Sequence, residues 1–321
     1  MAFSALLRPA LLAAARSPRM ERTVTKLPVT KTLVDRFVAG ETEAQAIAAT
    51  RSILSSGRYI SIDYLGEDTT DLDQANDTVT HYLTLLSSLA ELAPSAEGNS
   101  TPRSIEVSLK LSALGQFLSH DGHKVAYDNA HKICTAAEVA GAWVTVDAED
   151  HTTTDSTLSI VRELRQDFPS LGTVLQAYLK RTEADCKDLS GPGSRIRLCK
   201  GAYKEPASVA YQDKADVDEA YLRCLRILMN GYGYPMVASH DPRMVDAASR
   251  QAAATGRTAD QFELQMLYGI RDREQLRLIN DQQHLRVYLP YGQQWYGYFM
   301  RRLAERPANL GFFLRSVASR T

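Results

Sequence analysis

Runs of alternating apolar and polar residues recur through most of the chain, and segments with the apolar spacing of amphipathic helices separate them. Eight such runs predict β-strands at residues 59–65, 105–111, 143–147, 173–177, 196–199, 236–239, 262–266 and 286–289. Seven intervening segments predict helices at residues 73–92, 129–140, 155–167, 183–189, 215–229, 244–254 and 272–281. Eight strands that alternate with helices predict an α/β protein built as a (β/α)8 barrel of the TIM type.

The same pattern predicts how the chain is divided. Residues 1–58 are expected to form helices that pack on the barrel, and residues 59–321 to form the catalytic barrel itself. Residues 93–102, rich in Pro, Ser, Gly and Asn, predict a loop. A doubly wound sheet stays open as the alternative fold. Against it, the Gly-Tyr-Gly sequence at residues 231–233 lacks a third glycine and precedes a strand rather than a helix.

Alternation within the strands also predicts which side chains face the barrel interior. In the second strand, the aliphatic residues alternate with Glu106, Ser108 and Lys110. Because helices cover the outside of a barrel, the aliphatic side chains must point outward and the polar ones inward. Five strands show this arrangement, and a buried charge must be paired or functional. We therefore expect the interior to form a polar active site.

Composition and charge narrow the class of protein. The 321 residues include 37 Lys and Arg against 38 Asp and Glu, so the net charge of −1 supplies no field that would recruit nucleic acid or an anionic membrane. The four cysteines form no CxxC pair and no zinc spacing, which predicts free thiols in a reducing compartment. No stretch of about 20 apolar residues predicts a membrane span.

The first twenty residues have a distinctive composition. They contain Arg8, Arg16 and Arg19, with no acidic residue before Glu21. This resembles a mitochondrial presequence. An amphipathic helix that caps the fold accounts for the composition equally well, and we favour it.

Two charged residues are expected at the mouth of the barrel. Lys110 and Asp147 end the second and third strands, where barrel enzymes keep their active sites. Neighbouring strands lie about 4.8 Å apart, so the two side chains could form an ion pair. A purely structural salt bridge is the alternative. The acidic residues that follow Asp147 match no recognised metal-ligand spacing, so no metal site is predicted.

A second basic cluster is expected where the fifth strand ends. Arg197 and Lys200 precede Gly201 and Ala202, two small residues that let a bulky ligand approach the backbone. The cations suit a pyrophosphate. His240 follows Ser239 at the end of the sixth strand, where a structural and a functional histidine are equally plausible.

A third basic site lies near the end of the chain. Arg301 and Arg302 follow Tyr298 in an aromatic final helix, which we expect to lie over the barrel mouth. Adjacent guanidinium groups placed there suit a carboxylate or a phosphate. A solvated helix face with Glu305 neutralising the pair is the alternative. Two anion sites at one mouth predict a dinucleotide cofactor and a carboxylated substrate.

Six sequence blocks occur in order, about one per strand: SLKLSAL at 108–114, VDAE at 146–149, LQAY at 175–178, RLCKGAY at 197–203, RVYLPYG at 286–292 and YFMRRLAERPAN at 298–309. Together they resemble successive signatures of the proline dehydrogenase family. The resemblance runs from about residue 30 to the end of the chain, and the length resembles that of the monofunctional bacterial form, without a fused aldehyde dehydrogenase.

This resemblance implies an FAD-dependent enzyme that oxidises L-proline to 1-pyrroline-5-carboxylate, the first step of proline catabolism to glutamate. Electrons would pass to a membrane quinone, and the product would couple the enzyme functionally to pyrroline-5-carboxylate dehydrogenase. The implied location is cytoplasmic, with peripheral contact with the inner membrane as a second option and a mitochondrial location less favoured.

The resemblance also implies roles for individual residues. Arg301 and Arg302 would bind the proline carboxylate with help from Lys110, which Asp147 would orient. The catalytic set is Lys110, Asp147, Tyr288, Arg301 and Arg302. The ring would be enclosed by Tyr203, Leu267, Tyr288 and Tyr298. Cofactor contacts would come from Gln176, Arg197, Cys199, Lys200, Gly201, Ala202, Tyr203, Ser239, His240, Gln265 and Glu305.

Two positions depart from the family pattern. Cys199 stands where an aliphatic residue is common, and Lys204 where some members carry Trp. Two other classes of function remain as alternatives. Lys110 or Lys200 could serve as the Schiff-base nucleophile of an aldolase-type barrel enzyme that needs no cofactor. A binding module without catalysis is the other, and the inward-facing charges argue against it.

Overall fold

The computed structural model describes Met20 and residues 34–92 and 102–305, with Glu305 described for its backbone only. Eight parallel strands form a closed barrel in chain order, and the last strand pairs with the first. The strands are β1 Tyr59–Tyr64, β2 Ile105–Leu109, β3 Trp143–Val146, β4 Gly172–Gln176, β5 Arg195–Cys199, β6 Tyr234–Ala238, β7 Glu263–Leu267 and β8 Leu285–Tyr291. The predicted (β/α)8 barrel is confirmed.

Helices follow every strand. The α-helices from residue 43 onward are α1 Glu43–Leu54, α2 Leu72–Ala90, α3 Gly122–Val139, α4 Thr154–Asp167, α5 Thr182–Asp188, α6 Lys214–Asn230, α7 Pro242–Thr255, α8 Asp272–Asn280 and α9 Trp295–Glu305. Within residues 34–92 and 102–305, three short 3₁₀ helices lie at Leu111–Leu114, His151–Thr153 and Ala259–Gln261. All seven predicted helices are present, although α3 begins seven residues before its predicted start at residue 129.

Helix α2 shows how the sequence produces these elements. Asp71 caps its N-terminus by accepting a hydrogen bond from the Gln74 backbone N–H at 3.0 Å, a type of contact worth about 1 kcal/mol. The buried apolar side chains of the helix recur every three or four residues: Val79, Tyr82, Leu85, Leu86 and Leu89. They pack against the outward aliphatic residues of β1 and β2 in one continuous core. Burying one such side chain fully contributes about 1.5–3 kcal/mol.

The half of the barrel interior that lies near the N-terminal ends of the strands is filled by a buried layer of ion pairs. Arg286 Nε lies 2.7 Å from Glu263 Oε1, and Arg195 pairs with Glu106 across the barrel. Burial would raise the pKa of Glu106, but the facing arginines hold it well below its usual range. The prediction that the whole polar interior forms an active site was therefore wrong for this layer. Alternation fixes the direction of a side chain but not its depth along the barrel axis.

Helix α9 lies across the C-terminal ends of the strands, as predicted. Tyr298, Phe299 and Leu303 share a buried cluster with Leu65 and Ile270, which follow β1 and β7. This cluster roofs one side of the barrel mouth.

The described part of the predicted N-terminal segment contains α1, whose Ala46 and Ile53 belong to the same core as β1. The domain boundary at residue 58 stays a prediction. Expectations for residues 1–19 and for the loop at 93–101 fall outside the described residues. No helix within the described ranges is long and apolar enough to cross a bilayer.

Candidate active site

Lys110 lies at the barrel mouth directly after β2, and its main partner is Asp63 of β1. Lys110 Nζ is 2.6 Å from both carboxylate oxygens of Asp63, and 3.9 Å from Oδ2 of Asp147. The predicted ion pair with Asp147 is therefore present but long. Burial alone would lower the pKa of Lys110, but the two carboxylates raise it above its usual value. The ammonium group stays charged, which disfavours Lys110 as a Schiff-base nucleophile, because such a lysine must react as a free amine.

Asp147 belongs to a hydrogen-bonded group beneath Lys110. It accepts from Ser108 Oγ at 2.8 Å, from Arg197 Nη1 at 2.6 Å and from the Tyr288 hydroxyl at 2.7 Å. Burial raises the pKa of Tyr288 well above 10, and the charge of Asp147 adds to this effect. Tyr288 is therefore a neutral donor at the mouth.

Arg197 points into the barrel with each of its N–H donors engaged. Its Nε donates to Gln265 at 2.6 Å. Its Nη1 donates to Ser108 at 2.9 Å and to Asp147 at 2.6 Å. Its Nη2 donates to Ser61 at 3.0 Å and to Glu106 at 2.6 Å. A guanidinium group has five N–H donors, so none is left for a ligand in this geometry. Only 3% of the residue is exposed, so it is not placed to bind a pyrophosphate directly.

Arg301 reaches the mouth from α9 and is held by Glu67, which follows β1. Its Nη2 donates to Glu67 Oε1 at 2.7 Å, and its guanidinium carbon lies 5.5 Å from the centroid of the Tyr203 ring. Burial would lower the pKa of Arg301, but Glu67 raises it above its usual value. Arg302 instead lies 5.2 Å from the Tyr298 ring centroid on the same helix.

The ends of β5 and β6 form the more open side of the mouth. Lys200 Nζ donates to Asp218 at 2.5 Å and to Asp241 at 2.9 Å. His240 Nε2 accepts from the Leu267 backbone N–H at 2.9 Å, which fixes the imidazole against the end of β7. Residues 199–203 and 238–241 are half-buried here, with Cys199, Ala202 and Ser239 among them.

Gly201 allows the loop after β5 to lie on a buried aromatic ring. Its φ is +116°, and a Cβ atom there would lie 2.3 Å from the Tyr178 ring. The Tyr178 backbone N–H donates to the Lys200 carbonyl at 2.9 Å and ties the two loops together. A glycine is therefore required both for space and for the left-handed backbone.

The remaining predicted positions also surround the mouth. Gln176 is buried at the end of β4, where its Nε2 donates to the Glu149 carbonyl at 2.8 Å. Leu267 and Tyr298 belong to the apolar cluster under α9. The side chain of Glu305 lies outside the described part of the chain. Within residues 34–92 and 102–305, no group of three or more His, Cys, Asp or Glu could hold a metal ion.

Sequence reasoning missed Asp63 and Glu67. Asp63 has the same strand parity as Ser61, so alternation in β1 could have placed it inside the barrel. Glu67 lies in a loop with no periodicity, 234 residues from its partner Arg301. No sequence pattern points to that contact.

Comparisons with known proteins agree with this architecture. A family model described as proline dehydrogenase matches residues 46–315. Proline dehydrogenase 2 of Bacillus subtilis (strain 168) is 39% identical over 286 residues, which cover 89% of this chain and 90% of that protein. Proline dehydrogenase of Deinococcus radiodurans is 38% identical over 314 residues, which cover 97% and 98%. The chain therefore belongs to the proline dehydrogenase family, and the predicted enzyme class is confirmed.

Solved structures share the fold. The crystal structure of proline utilization A (PutA) from Bdellovibrio bacteriovorus inactivated by N-propargylglycine superposes with a TM-score of 0.77 at 25% identity, over 85% of this chain and 32% of that one. The bifunctional protein PutA of Escherichia coli (strain K12) is 26% identical over 317 residues, 88% of this chain and 24% of that protein. The chain thus spans about a third of the solved structures it matches and a quarter of the curated bifunctional proteins.

Proposed function

We propose that this protein oxidises L-proline to 1-pyrroline-5-carboxylate with a bound FAD and passes the electrons to a membrane quinone. The observation that carries the proposal is the pair of buried cations Lys110 and Arg301 at the barrel mouth. Each cation is held by a carboxylate: Lys110 Nζ lies 2.6 Å from Asp63 and Arg301 Nη2 lies 2.7 Å from Glu67. Two charged groups fixed at one barrel mouth suit the carboxylate of a small amino acid.

The substrate would be gripped through its carboxylate. Arg301 donates to Glu67 through Nη2, and a guanidinium group can offer further N–H donors to a second carboxylate. Lys110, charged and fixed by Asp63, would also bind the substrate carboxylate. Arg302 would be the second guanidinium group of the helix to bind it. Such fixation can lower a reaction barrier by about 7 kcal/mol when the reacting atoms are aligned.

Neutral aromatic groups would enclose the ring. Burial raises the pKa of Tyr203 well above 10, as it does for Tyr288, so both hydroxyl groups are uncharged at neutral pH. Leu267 and Tyr298 add apolar surface. A wall without charges disfavours the substrate ammonium and favours the free amine, whose lone pair assists loss of hydride from the adjacent carbon.

The open side of the mouth fits a flavin cofactor. Bound FAD would accept the hydride from the substrate, and the protein would position the two and set the electrostatic field around them. The loop at 199–203 is fixed on Tyr178 and half-buried, which offers a platform of the kind a planar group requires. Among the described residues, Asp218 and Asp241 occupy two of the three N–H donors of Lys200. One donor remains for a phosphate oxygen.

Gln176, Cys199, Ala202, Ser239, His240, Gln265 and Glu305 stay predicted cofactor contacts. Arg197 would influence a flavin electrostatically from the barrel interior, because its N–H donors are engaged there.

Transfer of electrons to a quinone would place the enzyme at a membrane surface in the cytoplasm. The product would then serve a pyrroline-5-carboxylate dehydrogenase. The bifunctional nature of the relative in Escherichia coli supports such coupling.

The proposal is tested with the purified full-length protein. A visible spectrum should show oxidised flavin, and proline should reduce an artificial dye. Arg301→Lys and Arg302→Lys should each raise KM for proline about tenfold or more, because a point charge does not reproduce a two-pronged contact. Arg277→Lys is the matched control, since Arg277 pairs with Glu274 at 2.8 Å on the outer helix α8. A colourless protein after addition of FAD, or unchanged KM in both variants, would refute the proposal.

A further inference from the structure

Three loops at the barrel mouth meet at one buried serine. Ser112 lies in the short helix after β2, and its backbone N–H donates to Glu149 Oε1 at 3.1 Å while its Oγ donates to Glu149 Oε2. Glu149 is 6% exposed and Ser112 is fully buried. Within the described part of the chain, both contacts of the Glu149 carboxyl group come from Ser112.

Ser112 also binds the backbone of the loop after β1. Its Oγ accepts from the Asp68 backbone N–H at 3.1 Å, and its carbonyl oxygen accepts from the Thr69 backbone N–H at 3.1 Å. Asp68 has a φ of +60°, an uncommon conformation for a residue other than glycine. Such a conformation persists when its surroundings hold it in place.

The residue before Asp68 is Glu67, which holds Arg301 at 2.7 Å. We propose that Ser112 and Glu149 form a positioning pair that fixes the loop after β1 and, through Glu67, sets the guanidinium group of Arg301 for the substrate. The inference rests on the proposed function. It assigns a role to two residues that would touch neither substrate nor cofactor.

The far side of Glu149 is anchored as well. Its carbonyl oxygen accepts from Gln176 Nε2 at 2.8 Å, so the backbone at Glu149 is tied to β4. The chain of contacts runs from β4 through the ends of β3 and β2 to the loop after β1. Helix α9 supplies Arg301, but its partner Glu67 belongs to the loop after β1. The position of Arg301 therefore depends on the contacts that fix this loop.

A double-mutant cycle between Ser112 and Glu67 tests the proposal. Ser112→Ala removes the hydroxyl that joins Glu149 to Asp68 and should raise KM for proline about fivefold with kcat within about twofold. In a Glu67→Ala background, the same substitution should change KM less than about 1.5-fold, because its route to Arg301 has been removed. Ser88→Ala is the matched control, since Ser88 Oγ donates to Glu43 Oε1 at 2.6 Å between α2 and α1.

The outcomes separate the two proposals. Wild-type protein that binds flavin but does not oxidise proline would overturn the proposed function. In an active enzyme, an unchanged KM for Ser112→Ala, or an equal rise in the presence and absence of Glu67, would overturn the positioning role alone. If Ser112→Ala does not fold, Glu149→Gln enters the same cycle, and the same coupling to Glu67 is expected.

Discussion

Asp63→Asn should remove the main ionic partner of Lys110 and destabilise the protein. Lys110 Nζ lies 2.6 Å from Asp63 and 3.9 Å from Asp147. At an effective dielectric constant of about 20, unit charges attract by about 6 kcal/mol at the shorter distance and about 4 kcal/mol at the longer one. Removing one partner of a buried pair costs about 3–5 kcal/mol, and the second carboxylate offsets part of that. We expect a loss of about 3 kcal/mol in the free energy of unfolding.

The same substitution should raise KM for proline about tenfold, because Lys110 would no longer be fixed beside the substrate carboxylate. Urea unfolding and steady-state kinetics measure the two effects. Asp128→Asn is the control: Asp128 pairs with Lys124 at 2.5 Å on exposed α3, where a pair contributes about 0–1 kcal/mol. Wild-type KM in Asp63→Asn, or a larger rise in KM for Asp147→Asn, would show that Asp63 does not hold Lys110.

Three further predictions follow from the site. Gly201→Ala should cost about 2–5 kcal/mol and reduce flavin occupancy, through left-handed strain and the clash with Tyr178; Gly256→Ala, with a φ of +69° and open space around it, should cost far less by thermal unfolding. Burial raises the pKa of Glu149 to about 7 from 4.5, so the folded state binds the extra proton and stability should fall by about 3 kcal/mol as pH rises between those values. Glu149→Gln should lack this dependence in urea titrations from pH 4 to 8, and parallel curves would contradict the assignment. Asp147→Ala should lower kcat while flavin absorbance is retained, because Asp147 is not among the predicted flavin contacts; released flavin would point to a structural role.

The fold was predictable because a barrel repeats one physical requirement eight times. Each strand must present an aliphatic face to its helix, and that requirement appears as alternation in the sequence. Helix starts were harder to predict. Helix α3 begins at Gly122 after Asp121, which has a φ of +55° and makes no side-chain capping bond, so the first two turns carry no sequence signal.

The site was predictable only in part. Parity and strand ends brought Lys110 and Asp147 to the mouth, where the structure has them 3.9 Å apart. The same reasoning gave Arg197 an inward direction but not its depth, so its engagement by interior acceptors was not anticipated. Contacts such as Glu67 with Arg301 depend on how a loop closes over the barrel, and local sequence does not encode that geometry.

The cross-barrel bonds of Arg197 have a consequence for how the chain matures. Its partners Ser61 and Glu106 precede it by 136 and 91 residues. During synthesis, the carboxylate of Glu106 is made well before any of the arginines that neutralise it. A nascent chain that ends after four strands therefore carries an uncompensated interior charge, and we expect the charge of Glu106 to be neutralised only once the fifth strand has left the ribosome.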